Sequence, residues 1–224
     1  QDNANADIYN FRFNGSGTIS TTTTRFGCTN QLRVSAGTLT PSVAITAVAS
    51  YLIDGGTLTW NDASSIQAAI TASSGTFNIT VNDTFTGVQT WSGATVAMAA
   101  TTQIFSAAVT ASGGSQTVTT ANLTFSSTLT ISGATFGGNS AYTLNLDGDF
   151  TLSSGTLSAP SASGTFTLAG TANTWSGGTF TANGGKANWD AAGNQTDTFT
   201  GVFTFVTIAA SNSARVRRPR FSAR

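Results

Sequence analysis

The chain has 224 residues, of which 39% are hydrophobic and 8% charged, and its formal net charge is zero. Zero net charge excludes the overall basic field with which proteins attract nucleic acid or anionic membranes. The chain has no His, which excludes Ser-His-Asp and Cys-His catalysis, and its only Cys, Cys28, excludes an intrachain disulfide. Thr, Ser, Ala and Gly dominate instead, which favours strands and turns over helices.

Residues 1–14 are polar at first and then carry aromatic side chains. Phe11 and Phe13 alternate with Arg12, which predicts a strand. We expect this segment to be the first coil of the fold or a cap over it.

A short corner motif organises residues 15–210: one or two Ser or Gly residues, then Thr, then an apolar residue. Ser153-Ser154-Gly155-Thr156-Leu157 is a clear copy, and Gly114-Ser115-Gln116-Thr117-Val118 is a looser one. The motif Thr residues are Thr18, Thr38, Thr57, Thr76, Thr95, Thr117, Thr135, Thr156 and Thr179. Their spacing of about 20 residues lies in the range of solenoid repeats.

Apolar residues alternate on both sides of each motif, as expected of strands with one buried face. The residue after the Thr is always apolar, and the residues four and six positions before it are usually apolar. A second apolar patch follows about nine residues after the Thr, at Ile66, Phe85, Ile104, Leu144 and Phe166. A unit of this length cannot bury its own apolar face, so it must stack on its neighbours. The sequence therefore predicts an all-β fold, a parallel β-solenoid (β-helix) of about ten coils with about 20 residues per coil.

Residues 211–224 form a basic C-terminal tail with five arginines, Arg215, Arg217, Arg218, Arg220 and Arg224. This segment is expected either to contact an acidic surface or to be a disordered end.

Two groups of acidic residues are candidate sites. Asp147-Gly148-Asp149 has the close carboxylates that Ca²⁺ prefers, but neighbouring repeats add no acids, and a corner turn is favoured. Asp62 and Asp83 lie about one repeat apart, so stacking could bring them together as a weak candidate acid–base pair, and chance explains their spacing equally well. We predict no catalytic, cofactor-binding or metal-binding residue and no cofactor, and expect Cys28 to be a buried structural side chain.

Two further patterns point to surfaces. Paired threonines at Thr38-x-Thr40, Thr57-x-Thr59, Thr117-x-Thr119 and Thr179-x-Thr181 would form two columns, the second broken at Asn78, Ala97 and Gly137. Such arrays resemble those of β-solenoid ice-binding proteins, although outward Thr is also an ordinary strand residue. Trp60, Trp91, Trp175 and Trp189 could offer a sugar-stacking surface, but Trp91 and Trp175 fall in inward positions, which favours the core.

The corner motif, repeated in a charge-poor chain, resembles the β-helical stalks of bacterial surface proteins, such as adhesins and autotransporter passengers. This resemblance covers residues 15–205 and implies an extracellular or cell-surface, non-enzymatic role. No capping helix is recognised at either end, and uncapped solenoid ends favour head-to-tail stacking. We therefore expect a structural subunit of a fibre or surface layer that self-associates end to end, with no nucleic acid partner and no membrane span. The alternatives are a monomeric adhesin that binds surface glycans, an ice-binding protein and a polysaccharide-active enzyme.

Overall fold

A computed structural model describes residues 8–21, 26–41, 45–46, 48–62, 66–119, 122–138, 140–190 and 195–200. These residues form 22 strands and no helix. The strands are β1 (Ile8–Phe13), β2 (Thr18–Thr21), β3 (Phe26–Val34), β4 (Thr38–Pro41), β5 (Ile45–Thr46), β6 (Ser50–Trp60), β7 (Ala69–Ile79), β8 (Asp83–Phe85), β9 (Gln89–Trp91), β10 (Thr95–Met98), β11 (Thr102–Phe105), β12 (Val109–Ala111), β13 (Ser115–Val118), β14 (Asn122–Phe125), β15 (Leu129–Gly137), β16 (Thr143–Leu146), β17 (Phe150–Ser158), β18 (Thr165–Leu168), β19 (Ala172–Trp175), β20 (Thr179–Thr181), β21 (Lys186–Trp189) and β22 (Thr196–Phe199).

The strands build a parallel β-solenoid, which confirms the predicted fold class. Each central turn has three strand segments, as in β9, β10 and β11, and each segment pairs in parallel with its counterparts in the adjacent turns. We call the surfaces that contain β9, β10 and β11 face one, face two and face three. The long strands β6, β7, β15 and β17 run from face one through a corner into face two.

The solenoid has about eight turns that repeat every 20 residues or so, fewer than the ten expected. The count is lower because β1 and β22 each add a strand to face one without completing a described turn.

The apolar residue after each motif Thr lies in the core, as predicted. Leu58, Phe77 and Leu157 have no exposed surface. Ile19 is the exception, with 37% of its surface exposed, because β2 is the end strand of face two among the described residues. The residues four and six positions before the Thr are also buried, as Leu129, Ile131, Phe150 and Leu152 show.

Face three contributes a stack of aromatic rings to the core. The Phe85 and Phe105 ring centroids lie 4.8 Å apart, and those of Phe105 and Phe125 lie 5.0 Å apart. These distances match the spacing of adjacent strands, about 4.8 Å, so each turn adds one ring to the stack. In the second apolar patch, Ile104 is half-buried on the outside, and its neighbours Gln103 and Phe105 point into the core.

The predicted register is also wrong in one turn. Ser115, and not Thr117, pairs with Thr95 and Thr135. The corner of this turn ends at Gly114, whose φ of +75° marks the bend, so the strand begins two residues earlier than the loose motif suggested. Gln116 therefore takes the inward position of an apolar residue, and its Nε2 donates to the Gly113 carbonyl over 3.1 Å.

The corners need glycine because the turns stack closely there. At Gly75, φ is +80°, and an added Cβ would lie 2.2 Å from the carbonyl oxygen of Gly56 in the preceding turn. An L-residue side chain has no room at this distance, so the corner motif is a consequence of stacking.

Several predictions concern residues outside the described part of the chain. These are residues 1–7 of the N-terminal segment, residues 201–210 at the end of the predicted solenoid, and the basic tail of residues 211–224. The boundaries of the three predicted segments stay predictions. Within the described residues, no helix has the length and hydropathy needed to cross a membrane.

Candidate functional site

Face two carries an unbroken row of hydroxyl groups, which we call rank A. Strand register places one outward Thr or Ser of each turn directly against the next, from Thr18 to Thr179. The members of rank A are Thr18, Thr38, Thr57, Thr76, Thr95, Ser115, Thr135, Thr156 and Thr179. All of them are exposed or half-buried. A row of hydroxyls at the strand spacing of about 4.8 Å is a regular surface along the solenoid axis.

A second outward row, rank B, lies two residues further along the same strands and is irregular. Its members are Ser20, Thr40, Thr59, Asn78, Ala97, Thr117, Gly137, Ser158 and Thr181. The predicted breaks at Asn78, Ala97 and Gly137 are confirmed. Thr117 belongs to rank B, and Thr119 lies beyond β13, where its hydroxyl donates to the Met98 carbonyl over 3.4 Å. The expected Thr117-x-Thr119 pair therefore does not span the two rows.

Face one carries a row of seven threonines that the sequence analysis missed, which we call rank C. Its members are Thr71, Thr90, Thr110, Thr130, Thr151, Thr174 and Thr198. Each lies five residues before a member of rank A, except Thr198, whose counterpart lies outside the described residues. This constant offset is the signal that would have revealed the row. Face three has no comparable row, because its central outward residues alternate among Thr, Ile and Asn.

Asp83, which with Asp62 forms the weak candidate pair, lies inside the solenoid. It is 7% exposed, its Oδ2 accepts a hydrogen bond from the Trp60 indole over 2.8 Å, and its Oδ1 accepts one from the Thr84 amide over 2.6 Å. Burial raises the pKa of Asp83 to about 6, against the effect of these two donors, and the charge of Asp62 raises the pKa further. The two carboxyls therefore interact, but Asp83 faces the interior and serves to satisfy the buried Trp60.

Asp147-Gly148-Asp149 forms a corner, as favoured. Asp149 Oδ1 accepts a hydrogen bond from the Ala172 amide of the next turn over 2.9 Å. A Cβ at Gly148 would lie 2.3 Å from the Ser127 carbonyl group, so close stacking explains this glycine. In the part of the chain that the structure describes, no three His, Cys, Asp or Glu side chains are grouped as a metal site needs.

The tryptophans do not form a common surface. Trp60, Trp91 and Trp175 are at most 1% exposed, which confirms the core positions predicted for Trp91 and Trp175. Trp189 is 38% exposed, in the last described strand of face three, where it pairs with Leu168. Cys28 is fully buried, as expected, and its thiol donates to the Gln31 carbonyl over 3.2 Å.

Comparisons of the chain with protein-family models, with curated proteins and with solved structures gave no significant match.

Proposed function

We propose that the chain is a non-enzymatic, extracellular structural rod that assembles end to end into a fibre or surface layer. The observation that carries this proposal is the exposure of core positions at both ends of the described solenoid. Ile19 at one end is 37% exposed and Trp189 at the other is 38% exposed, whereas their column neighbours Leu39 and Leu168 are buried. A second copy that stacks in register would bury both.

Backbone pairing supports the same assembly. Among the described residues, β1 pairs only with β3 and β22 only with β19, so each has one edge that no described strand covers. Such edges favour pairing with another chain, and a head-to-tail contact that does not close produces a filament. The extracellular assignment rests on the 8% of charged residues and on the stylistic resemblance to surface-protein stalks.

Electron microscopy of the purified chain tests the proposal. We expect unbranched filaments with an axial repeat of roughly 48 Å, because ten strands stack along the axis from β1 to β22 at a spacing of about 4.8 Å. The variant Ile19→Lys puts a charge in the end contact and should give single rods. Val88→Lys is the matched control, because Val88 is 51% exposed on the side of the solenoid, and it should leave the filaments intact. Single rods of wild-type protein at every concentration would refute end-to-end assembly.

Ice binding is a second candidate, which rank A specifically favours. Hydroxyls that repeat about every 4.8 Å on a rigid sheet present a lattice that a crystalline surface can match. We expect thermal hysteresis that Thr95→Tyr on rank A abolishes, whereas Thr124→Tyr on face three is the matched control and retains it. A solution with no thermal hysteresis, or equal loss in both variants, would eliminate this candidate.

A further inference from the structure

The outer surface of face one changes character at its first three strands, β1, β3 and β6. In place of the rank C threonines, Arg12, Arg33 and Leu52 lie opposite one another in register. A second row runs parallel to them, in which Asn10 pairs with Gln31 and Gln31 with Ser50. The two rows and Asn30 line a shallow groove of about 340 Å³, which we call the Arg groove.

The Arg groove carries an excess of positive charge. Arg33 forms an ion pair with Asp54, in which its Nε donates to Oδ2 over 2.8 Å, and this contact holds the pKa of Asp54 below its ordinary value. Arg12, on the adjacent strand, has no second carboxylate among the groove residues. The charge of Arg12 also lowers the pKa of Asp54, so one carboxylate serves two guanidinium groups and one positive charge is left in excess. Like charges on neighbouring strands repel, so an anion bound between the two guanidinium groups would balance this excess.

Arg12 is oriented for such an anion. Its Nε donates to Ser35 Oγ over 3.2 Å, and Ser35 Oγ in turn donates to Asp54 Oδ1 over 2.8 Å. This relay fixes one side of the guanidinium and leaves its Nη1–Nη2 edge, two parallel donors in a plane, for a carboxylate. Arg12 is exposed, so the edge is open to a ligand.

The second row supplies neutral hydrogen-bonding groups. Asn30 Nδ2 donates to Asn10 Oδ1 over 2.9 Å, which holds both amides in place beside the arginines. The neutral amides and the Ser50 hydroxyl of this row can form hydrogen bonds with the hydroxyl groups of a sugar, while the neighbouring arginines bind a carboxylate of the same sugar. An acidic peptide would instead need donors and acceptors at the spacing of its backbone. Both rows follow the solenoid axis, so the ligand they suit is linear.

We propose that the Arg groove binds an acidic polysaccharide, with the carboxylate of a uronic acid on Arg12 and the sugar hydroxyls on Asn10, Gln31 and Asn30. This inference goes beyond the structural role and is independent of end-to-end assembly.

Calorimetric titration of the full chain with a short galacturonate oligomer tests this site. We expect Arg12→Gln to weaken binding by about tenfold or more, the range for a lost charge-assisted hydrogen-bond pair. Arg12→Lys keeps the charge but loses the two parallel N–H donors of the guanidinium group. It should weaken binding by a smaller factor than Arg12→Gln does. Lys186→Gln is the matched control, because it removes one cation from face three and should change binding by less than about twofold.

Two further comparisons separate the groove from plain charge attraction, including attraction to the five arginines of residues 215–224. The methyl ester of the oligomer should not bind, and polyglutamate and dextran sulfate should bind more weakly than galacturonate and without dependence on Arg12. Equal losses in Arg12→Gln and Lys186→Gln, with circular dichroism showing both folded, would overturn the proposal. Equal binding of polyglutamate, or the absence of galacturonate binding, would overturn it as well.

Discussion

The buried carboxyl group of Asp83 makes the stability of the solenoid depend on pH in an unusual direction. Asp83 lies in the inward column of face three, beside Gln103, and its two oxygens accept hydrogen bonds from Trp60 and Thr84. Loss of hydration outweighs these donors and raises its pKa to about 6, compared with an ordinary value of 3.8. The folded state therefore holds the proton of Asp83 more tightly than the unfolded state. The stabilising contribution of Asp83 is fully present below about pH 4 and is lost as the pH rises through 6.

The size of the effect follows from this difference in pKa. At about 1.4 kcal/mol per pKa unit, full protonation is worth about 3 kcal/mol, and lowering the pH from 7.5 to 5.0 should recover about half of it. Asp54 does not oppose this trend, because its lowered pKa makes its contribution disappear only as the pH falls below its ordinary range. The pKa of Asp197 is raised by burial, so Asp197 adds to the trend.

Urea unfolding at pH 7.5 and 5.0, followed by tryptophan fluorescence, measures this dependence. We expect the wild-type protein to be more stable at pH 5.0 by roughly 1 kcal/mol. Asp83→Asn should lose most of this difference, whatever its absolute stability, because its amide does not titrate. Asp197→Asn is the matched control and should retain most of it. A wild-type protein that is equally or less stable at pH 5.0, or an Asp83→Asn variant that keeps the full difference, would refute the reasoning.

Two other substitutions test how the turns stack, each by thermal or urea unfolding. Gly75→Ala should destabilise the protein by more than about 2 kcal/mol, because its Cβ would meet the backbone of the preceding turn, whereas Gly17→Ala, with no atom within 4 Å, should be nearly neutral. Phe105→Ala removes the middle ring of the aromatic stack and should cost about 3–5 kcal/mol, whereas Ile104→Thr on the outer surface should cost less than about 1 kcal/mol. Similar losses within either pair would contradict the stacking described above.

Most of the architecture could be predicted from the sequence, because every turn must meet the same requirement for buried apolar residues next to a small corner residue. Positions that must be apolar recur at a fixed offset from a corner that must be small, so Leu129, Ile131, Phe150 and Leu152 could be assigned to the core directly. The number of faces could not be read in the same way. Faces one and two meet at the corner motif, but strands such as β7 continue through it, so the motif does not by itself give the number of faces.

The candidate sites were harder to predict because they depend on contacts between turns. Rank C was missed because a Thr between two inward residues, such as Thr130, resembles any outward strand residue until its constant offset from rank A is compared across the turns. The burial of Asp83 could not be predicted, because it depends on partners such as Trp60, 23 positions away. Arg12 and Arg33 are 21 residues apart, one more than the typical repeat, and only the pairing of β1 with β3 brings them together.

The turn that contains Gln116 shows why the motif search predicted the wrong strand register there. This register can be tested directly. A search for Thr next to an apolar residue selects Thr117-Val118, but backbone pairing places Gln116 inside, between Val96 and Phe136, with no exposed surface. Gln116→Lys should therefore place an unpaired charge in the core and cost about 3 kcal/mol or more, whereas Thr117→Lys, one residue away on the outer surface, should cost less than about 1 kcal/mol. The two substitutions add the same charge to the same strand. A difference between their urea unfolding midpoints therefore reports only the difference between an inward and an outward position. If both variants unfold at the same midpoint, residue 116 does not point inward and the register of this turn is wrong.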